Sequence, residues 1–294
     1  MRWPDGGIPD DDRLADAIAA SQSFAPQVSV NEVLRHVRGR RITASATTDD
    51  GRPVVVKLFH GPRARGNHRR LQALHDAGLG DTVPVSLGHD DTGRIGLVGY
   101  RPGTVLDQVE DRDFVGSCQR AGTALAALHR SGATLDREWT LDDELAQLRN
   151  RAPGSIAELV LDVIDRFGAP SPTAIVPSHR DCHPRQLVVA GLGVHWIDLD
   201  DAAMAVPGLD VGNMLAHLSR EHLLGRRPRA LTDAARAAFR EAYEWSHGEA
   251  ELRRWEVLSL ARLAGLAESR HRSLDQRDAL VEEVHRRMWE VAAT

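Results

Sequence analysis

Candidate catalytic and metal-ligating side chains lie in SHRDCHPRQLVVAGLGVHWIDLDDAAMAVPGLDVGNMLAHL, residues 178–218. Asp181 lies in a loop after Pro177. Five residues on, the amide of Gln186 leads into the apolar run 187–190. Gly191-Leu192-Gly193 then turns the chain, and residues 194–197 return it to Asp198, followed by Asp200 and Asp201. A hairpin returns its end close to its start, so Asp181, Gln186 and Asp198 are expected at one sheet end. Two carboxylates and an amide oxygen make a hard donor set of the kind that suits Mg2+, which also takes oxygens from substrate phosphates. Taken singly, each has a plainer reading: a loop aspartate that caps a turn, and a solvated acidic run at IDLDD.

The cations are uneven in kind. The chain has one lysine, Lys57, against 36 arginines. A GC-rich coding bias accounts for the excess and replaces lysine wherever arginine serves. Lys57 is then either a chance survivor at a strand end or a position where arginine does not serve. The two side chains differ physically: lysine is a compact point charge on a thin stem, arginine a wide planar fork.

These groups need elements to position them. Lys57 sits in Val54-Val55-Val56-Lys57-Leu58-Phe59, a β-branched apolar run that reads as a strand. Residues 33–37 and 41–45 alternate as strands around Gly39, and Thr48-Asp49-Asp50-Gly51 is a hairpin turn. A helix is expected over 62–77, with Leu71 and Leu74 on one face and Gly78 closing it. Residues 83–88 and 95–100 complete a five-stranded antiparallel sheet. A short helix is expected around Leu14 to Ala20. Arg101-Pro102-Gly103 breaks the strand pattern, and helices dominate after it. Val115, Cys118, Gly122, Leu125 and Leu128 share a helical face stopped by Gly132. Thr140 with Asp143 forms an N-cap pair. The expected organisation is an N-terminal lobe over 1–98, a connector over 99–103 and a C-terminal helical lobe over 104–294.

Composition narrows the classes. A net charge of −5 argues against a partner held by a basic field, so no nucleic acid is expected. No apolar run approaches the ~20 residues that cross a bilayer, so no membrane span is expected. The acidic N-terminus lacks the apolar core of a secretory signal. Cys118 and Cys182 have neither metal-site nor disulfide-framework spacing, which fits a reducing, cytoplasmic setting.

His179-Arg180-Asp181-Cys182-His183-Pro184-Arg185-Gln186 resembles the H-x-D-x-x-x-x-N loop of the aminoglycoside phosphotransferases and their choline-kinase relatives. Ile197-Asp198-Leu199-Asp200-Asp201 resembles their IDFDDA segment, and Leu209-Asp210-Val211-Gly212-Asn213 their LDLGN. The likeness runs over residues 33–218 and is strongest at 178–213. It implies a bilobal, protein-kinase-like α+β fold and an enzyme that moves the γ-phosphate of ATP or GTP, with Mg2+, to the hydroxyl of a small molecule.

Carried over residue by residue, the resemblance makes Asp181 the catalytic base, with Asp198 and Gln186 as metal ligands. Lys57 would reach the α- and β-phosphates. In the connector, the Gly99 carbonyl and the Arg101 amide would meet the adenine edge. Two positions depart from the family pattern. Gln186 stands where asparagine is usual. The helix after Lys57 has no glutamate, so either Asn67 orients the ammonium by a neutral hydrogen bond or the ion pair is absent. The arginines of Arg38-Gly39-Arg40-Arg41 either contact phosphate or are exposed strand-end charges. His179 is expected to pin the loop, and Asp210 to cap the following helix and tie the loop down. Of Asp200 and Asp201, one would assist the metal and the other bond backbone amides. The acceptor is expected among antibiotics such as aminoglycosides, making the enzyme a resistance determinant. The alternatives are a metabolite kinase of choline, homoserine or sugar type, and a nucleotide-binding pseudokinase-like module.

Overall fold

Apolar–polar alternation produces three consecutive antiparallel strands in the computed structural model: β1 (Val28–Val37), β2 (Arg41–Thr48) and β3 (Pro53–Phe59). The structure describes residues 27–151, 154–167, 174–269 and 273–291; the helix expected around Leu14 lies outside them. In β2, Ile42, Ala44, Ala46 and Thr48 are buried while the residues between them are not. They pack with Val54, Val56 and Leu58 of β3 on one sheet face. Burying each Val or Leu contributes roughly 1.5–3 kcal/mol. The turn between β2 and β3 is held by Thr48, whose hydroxyl accepts from the Arg52 amide at 2.9 Å.

Next comes α1 (Arg63–Leu74), which buries Leu71 and Leu74 as its periodicity predicts. It ends in one wider turn over His75–Leu79, where Gly78 takes φ 85°, a conformation open to glycine at little cost. Strands β4 (Ser86–His89) and β5 (Ile95–Gly99) complete a sheet of order β1-β2-β3-β5-β4, antiparallel throughout. β1 begins earlier than its sequence pattern suggests. It is an edge strand with two register irregularities, so polar Asn31 and Glu32 face water at no cost and blur the alternation.

The chain divides into two compact units. The first takes in the described residues up to Pro102 together with His195–Asp201; the second comprises the described residues of Gly103–Val194 and those from Ala202 on. In the second unit, β6 (Thr104–Val105) pairs with β9 (Leu187–Ala190). A second small sheet has β11 (Ala203–Ala205) between β7 (Glu138–Trp139) and β8 (Val176–Ser178). Strand β10 (Gly193–Trp196) carries the chain from the second unit back into the first.

The rest of the second unit is helical: α2 (Asp111–Arg130), α3 (Leu141–Arg151), α4 (Gly154–Phe167), α5 (Pro207–Leu223), α6 (Arg229–Tyr243), α7 (Glu249–Ser269) and α8 (Leu274–Val291). The expected Thr140–Asp143 pair caps α3: the Thr140 hydroxyl accepts from the Asp143 amide at 3.1 Å, and the Asp143 carboxylate accepts from the Thr140 amide at 2.9 Å. One core joins α3, α4, α5, α7 and α8 through residues such as Leu148, Val160, Ala216, Leu260 and Val284. Between α5 and α7 the approach is close. A Cβ at Gly212 would stand 2.6 Å from the Cβ of Trp255, and one at Gly208 would overlap the Trp255 indole. Among the described residues no helix is long and apolar enough to cross a membrane. Both cysteines are buried and unbridged.

Candidate active site

Strand register places two cations on one sheet face. Thr43 of β2 lies opposite Lys57 of β3. Paired residues share a face and so do residues two apart along a strand, so Arg41 projects beside Lys57, away from the apolar layer of Ile42 and Leu58. The His195–Asp201 segment of the same unit brings two carboxylates to them. Lys57 Nζ donates to Asp198 Oδ1 at 2.8 Å and to Asp200 Oδ1 at 2.6 Å. Arg41 donates to both oxygens of Asp198, at 3.0 and 2.8 Å, and to Asp200 Oδ2 at 2.7 Å. Asn67 Nδ2 on α1 donates to Asp200 Oδ1 at 2.9 Å, and Arg70 to the Asp200 backbone oxygen at 3.0 Å. Asp198 holds its side chain there from a left-handed backbone, φ 57°, which is uncommon outside glycine and marks a position worth attention.

The electrostatics follow from burial against charge. For Asp198, burial opposes ionisation, but the Lys57 and Arg41 charges outweigh it and hold the carboxyl well below the usual range. For Lys57, burial is likewise overcome by the two carboxylates, which raise the ammonium above its usual value. Burial pushes Asp200 upward. Every side-chain partner of Asp200 is nonetheless a donor, so the site accommodates its ionised form.

The second unit holds the other carboxylate. The loop from His179 to Gln186 is anchored from α5. Asp210 accepts the His179 and Arg180 amides, each at 2.7 Å, and Asn213 Nδ2 donates to the Cys182 carbonyl at 2.8 Å. The Asp181 amide donates to His179 Nδ1 at 3.3 Å. Arg180 has φ 67°, and its guanidinium lies 3.6 Å from the centroid of the Trp139 ring. The side chain of Asp181 is 44% exposed. Both its contacts fall on Oδ2: Gln186 Nε2 at 3.2 Å and His183 Nε2 at 3.5 Å. Because His183 Nδ1 accepts the Arg185 amide at 3.2 Å, its proton belongs on Nε2, toward Asp181. Burial acts against ionisation of Asp181, yet the hydrogen bond from His183 outweighs it and lowers the carboxyl. Behind His183, His217 stacks with ring centroids 4.6 Å apart; burial, with the neighbouring His183, keeps it neutral.

The model of the phosphotransferase enzyme family (APH) matches residues 38–256, which carry both carboxylate groups. The chain belongs to this family. Solved structures share its fold. The amicoumacin kinase hAmiN, in complex with AMP-PNP, Ca2+ and Ami, is 15% identical over 96% of this chain and 94% of its own, with a TM-score of 0.69. The choline kinase LicA from Streptococcus pneumoniae is 14% identical over 95% and 99%, TM-score 0.66. An aminoglycoside-3'-phosphotransferase of type VIII is 18% identical over 83% and 97%, TM-score 0.62. At these identities the likeness establishes the fold alone. No curated protein matches the chain.

In this phosphotransferase the sequence-derived residues fall into two groups. Lys57, Asp198 and, through Asp200, Asn67 meet in the first unit; Asp181 and Gln186 meet in the second. Of the two alternatives for the helix after Lys57, the neutral hydrogen bond from Asn67 to the ammonium does not form. The Asn67 nitrogen bonds Asp200, and its oxygen is buried without a hydrogen-bond partner. Lys57 therefore takes its ion pairs from Asp198 and Asp200, which removes the need for a helix glutamate. Gly99 is fixed by its amide to Val85 O at 2.8 Å. The Arg101 guanidinium turns onto the carbonyls of Gly80, at 2.6 Å, and Val83. Asp210 does not cap α5. The helix starts at Pro207, with Val206 at its cap position, and Asp210 receives loop amides from inside the first turn. Asp200 and Asp201 separate: Asp200 is buried with the cations, while Asp201 is exposed and pairs with Arg63 at 2.7 Å. Sequence reasoning assigned no role to His183 and did not foresee that Arg41 would bind carboxylates. The signal was the hairpin register: Thr43 pairs with Lys57, and Arg41, two residues from Thr43, shares its face.

Proposed function

We propose that the enzyme is a small-molecule O-phosphotransferase that moves the γ-phosphate of ATP or GTP to an acceptor hydroxyl. The observation that carries this reading is the single-sided anchoring of Asp181. His183 and Gln186 occupy Oδ2, and Oδ1 has no partner among the described residues. An ionised, half-exposed carboxylate with one unengaged oxygen suits a base that accepts a hydroxyl proton. As the acceptor O–H gives its proton to Asp181, the acceptor oxygen bonds to the γ-phosphorus. The bond from that phosphorus to the β–γ bridging oxygen breaks, and the nucleoside diphosphate leaves with the electron pair. Lys57, a point charge held rigidly between two carboxylates, neutralises phosphate oxygens, and catalysis is chiefly positioning and charge stabilisation. In the connector, the backbone of Gly99 and Arg101 would take the base of the nucleotide. Their side-chain and amide bonds to Val85, Gly80 and Val83 set that backbone.

Mg2+ suits the donor set. Asp198 offers hard carboxylate oxygens, and the buried Asn67 oxygen beside Asp200 accepts no hydrogen bond. Asp198 and Gln186 would hold the ion, Gln186 through the amide oxygen left by its nitrogen's bond to Asp181. A bound divalent cation would supply charge neutralisation at the phosphates.

For the acceptor, the leading class is a hydroxyl-bearing antibiotic such as an aminoglycoside, with metabolites of the choline or sugar type as the second. A cleft in the second unit, near Asp181 in sequence, is lined by Glu144, Arg180, Asn213, Trp255 and Arg262. With two arginines against one glutamate, it places no special demand for a polycation. Radiolabelled γ-phosphate should pass to one compound class in a panel of antibiotics and metabolites. Asp181→Asn should reduce that transfer by about 10²–10⁴ while nucleotide affinity stays within about twofold. Retained turnover in the variant would remove the base from the mechanism.

A further inference from the structure

The carboxylates of Asp198 and Asp200 are fully subscribed. Lys57 takes one oxygen of each, and Arg41 spans both oxygens of Asp198 and the remaining oxygen of Asp200. Two carboxylates face two cationic side chains in a buried setting, and Arg70 lies on the Asp200 backbone oxygen besides, so the cluster has no deficit of positive charge for an ion to fill. A divalent cation arriving alone would have to strip oxygens from a bidentate guanidinium, the strongest form of charged hydrogen bond, and would leave the cluster with excess positive charge. A triphosphate reverses that balance, because it offers both side chains other anionic partners.

The two cations are not equally able to respond. Lys57 is 7% exposed and also shares Asp200 with Asn67; Arg41 is 18% exposed. Arg41 opens β2 directly after the exposed turn Arg38-Gly39-Arg40, where Gly39 takes φ 67°. A long side chain at a strand end beside such a turn can swing while Lys57 stays in place.

We propose that Arg41 is a built-in competitor for the divalent cation. It holds Asp198 and Asp200 until nucleotide phosphates engage its guanidinium, and so makes metal binding conditional on nucleotide. This inference rests on the phosphotransferase reading above. Linkage makes the coupling mutual: metal tightens nucleotide by the factor by which nucleotide tightens metal.

The test uses the full chain and Mn2+, followed by the electron paramagnetic resonance of the unbound ion. Without nucleotide, Arg41→Gln should bind Mn2+ about tenfold more tightly than the wild type, since one competing charge has gone. Arg41→Lys, which keeps the charge but not the fork, should fall between them. In the wild type, AMP-PNP should raise Mn2+ affinity by about tenfold or more, after allowing for metal chelated in solution, and in Arg41→Gln by less. Equal or weaker Mn2+ binding by folded Arg41→Gln overturns the proposal. If that variant does not fold, the wild type decides alone: Mn2+ affinity unchanged by bound AMP-PNP overturns it as well. Failure of AMP-PNP to bind at all would instead count against the phosphotransferase reading, and the nucleotide-free Mn2+ comparison would still judge Arg41.

Discussion

Asp198 is gripped through both carboxylate oxygens by Arg41 and Lys57, whereas Asp181 is touched through one oxygen by a neutral amide and an imidazole. The first carboxylate belongs to a buried, ion-paired cluster that also ties strands β2 and β3 to the His195–Asp201 segment. The second stands half exposed on a loop whose shape is fixed by other residues, chiefly Asp210 and Asn213. The contrast separates two uses of one functional group. A saturated carboxylate holds structure and charge in place; a half-satisfied one keeps an oxygen for a reaction. Loss of the first should cost stability, and loss of the second should cost turnover.

The sharpest way to break this contrast is Asp200→Ala. It strands Lys57 and Arg41 with half their anionic partners in a buried site, and should destabilise the protein by about 3–5 kcal/mol in chemical denaturation. A cost below about 1 kcal/mol would mean that the cluster is not structural.

Acid should act next, through a different buried cluster. Burial opposes ionisation of Glu256, but Arg236 and Arg287 outweigh it and hold its carboxyl down at about 2, against 4.5 for an ordinary glutamate. A pKa lowered by folding contributes stability that is complete above the unfolded value and lost as pH falls through the folded one. Stability measured against pH should therefore fall by a few kcal/mol between about pH 4.5 and about pH 2. In Glu256→Gln, less stable at neutral pH, that part of the slope should be missing.

Removing the α3 cap with Thr140→Ala should cost about 1 kcal/mol. It should leave the first unit's cluster untouched, seen as unchanged amide protection in β2 and β3. The smallest change belongs to Asp181→Asn: a midpoint within about 0.5 kcal/mol of wild type, despite the loss of transfer described above. Equal destabilisation by Asp181→Asn and Asp200→Ala would erase the distinction between the carboxylates of the buried cluster and Asp181.

Much of this arrangement is legible in the residues. Strict alternation in RITASATT and the β-branched run before Lys57 define the central strands, because one face of each is buried and the other is not. The H-x-D loop, the IDLDD segment and the single lysine point to the same chemistry from three separate stretches. What escapes is physical rather than accidental. β7, β8 and β11 have two or three residues each, too few for any periodicity to register. The true partners of Lys57 depend on how the His195–Asp201 segment rejoins the first unit, a long-range event with no local pattern. Asp210 looks like a cap because Asp often is one, but the preceding Pro207 already starts the helix and frees that carboxylate for the loop.

The glycines of α5 have a consequence that reaches the loop from behind. The Trp255 indole packs against α5 at Gly208, and the Cβ and main chain of Trp255 pack against it at Gly212. About two turns further along α7, Arg262 grips the side chain of Asn213, the residue after Gly212, which in turn holds the Cys182 carbonyl. Trp255 thus works as a spacer gauge: its contacts at the two glycines set how far α7 stands from α5, and with that the reach of the arginine. Even a methyl group at either glycine would wedge the helices apart and loosen the grip on the residue next to Asp181, so the tolerance of the loop is written into two positions that carry no side chain.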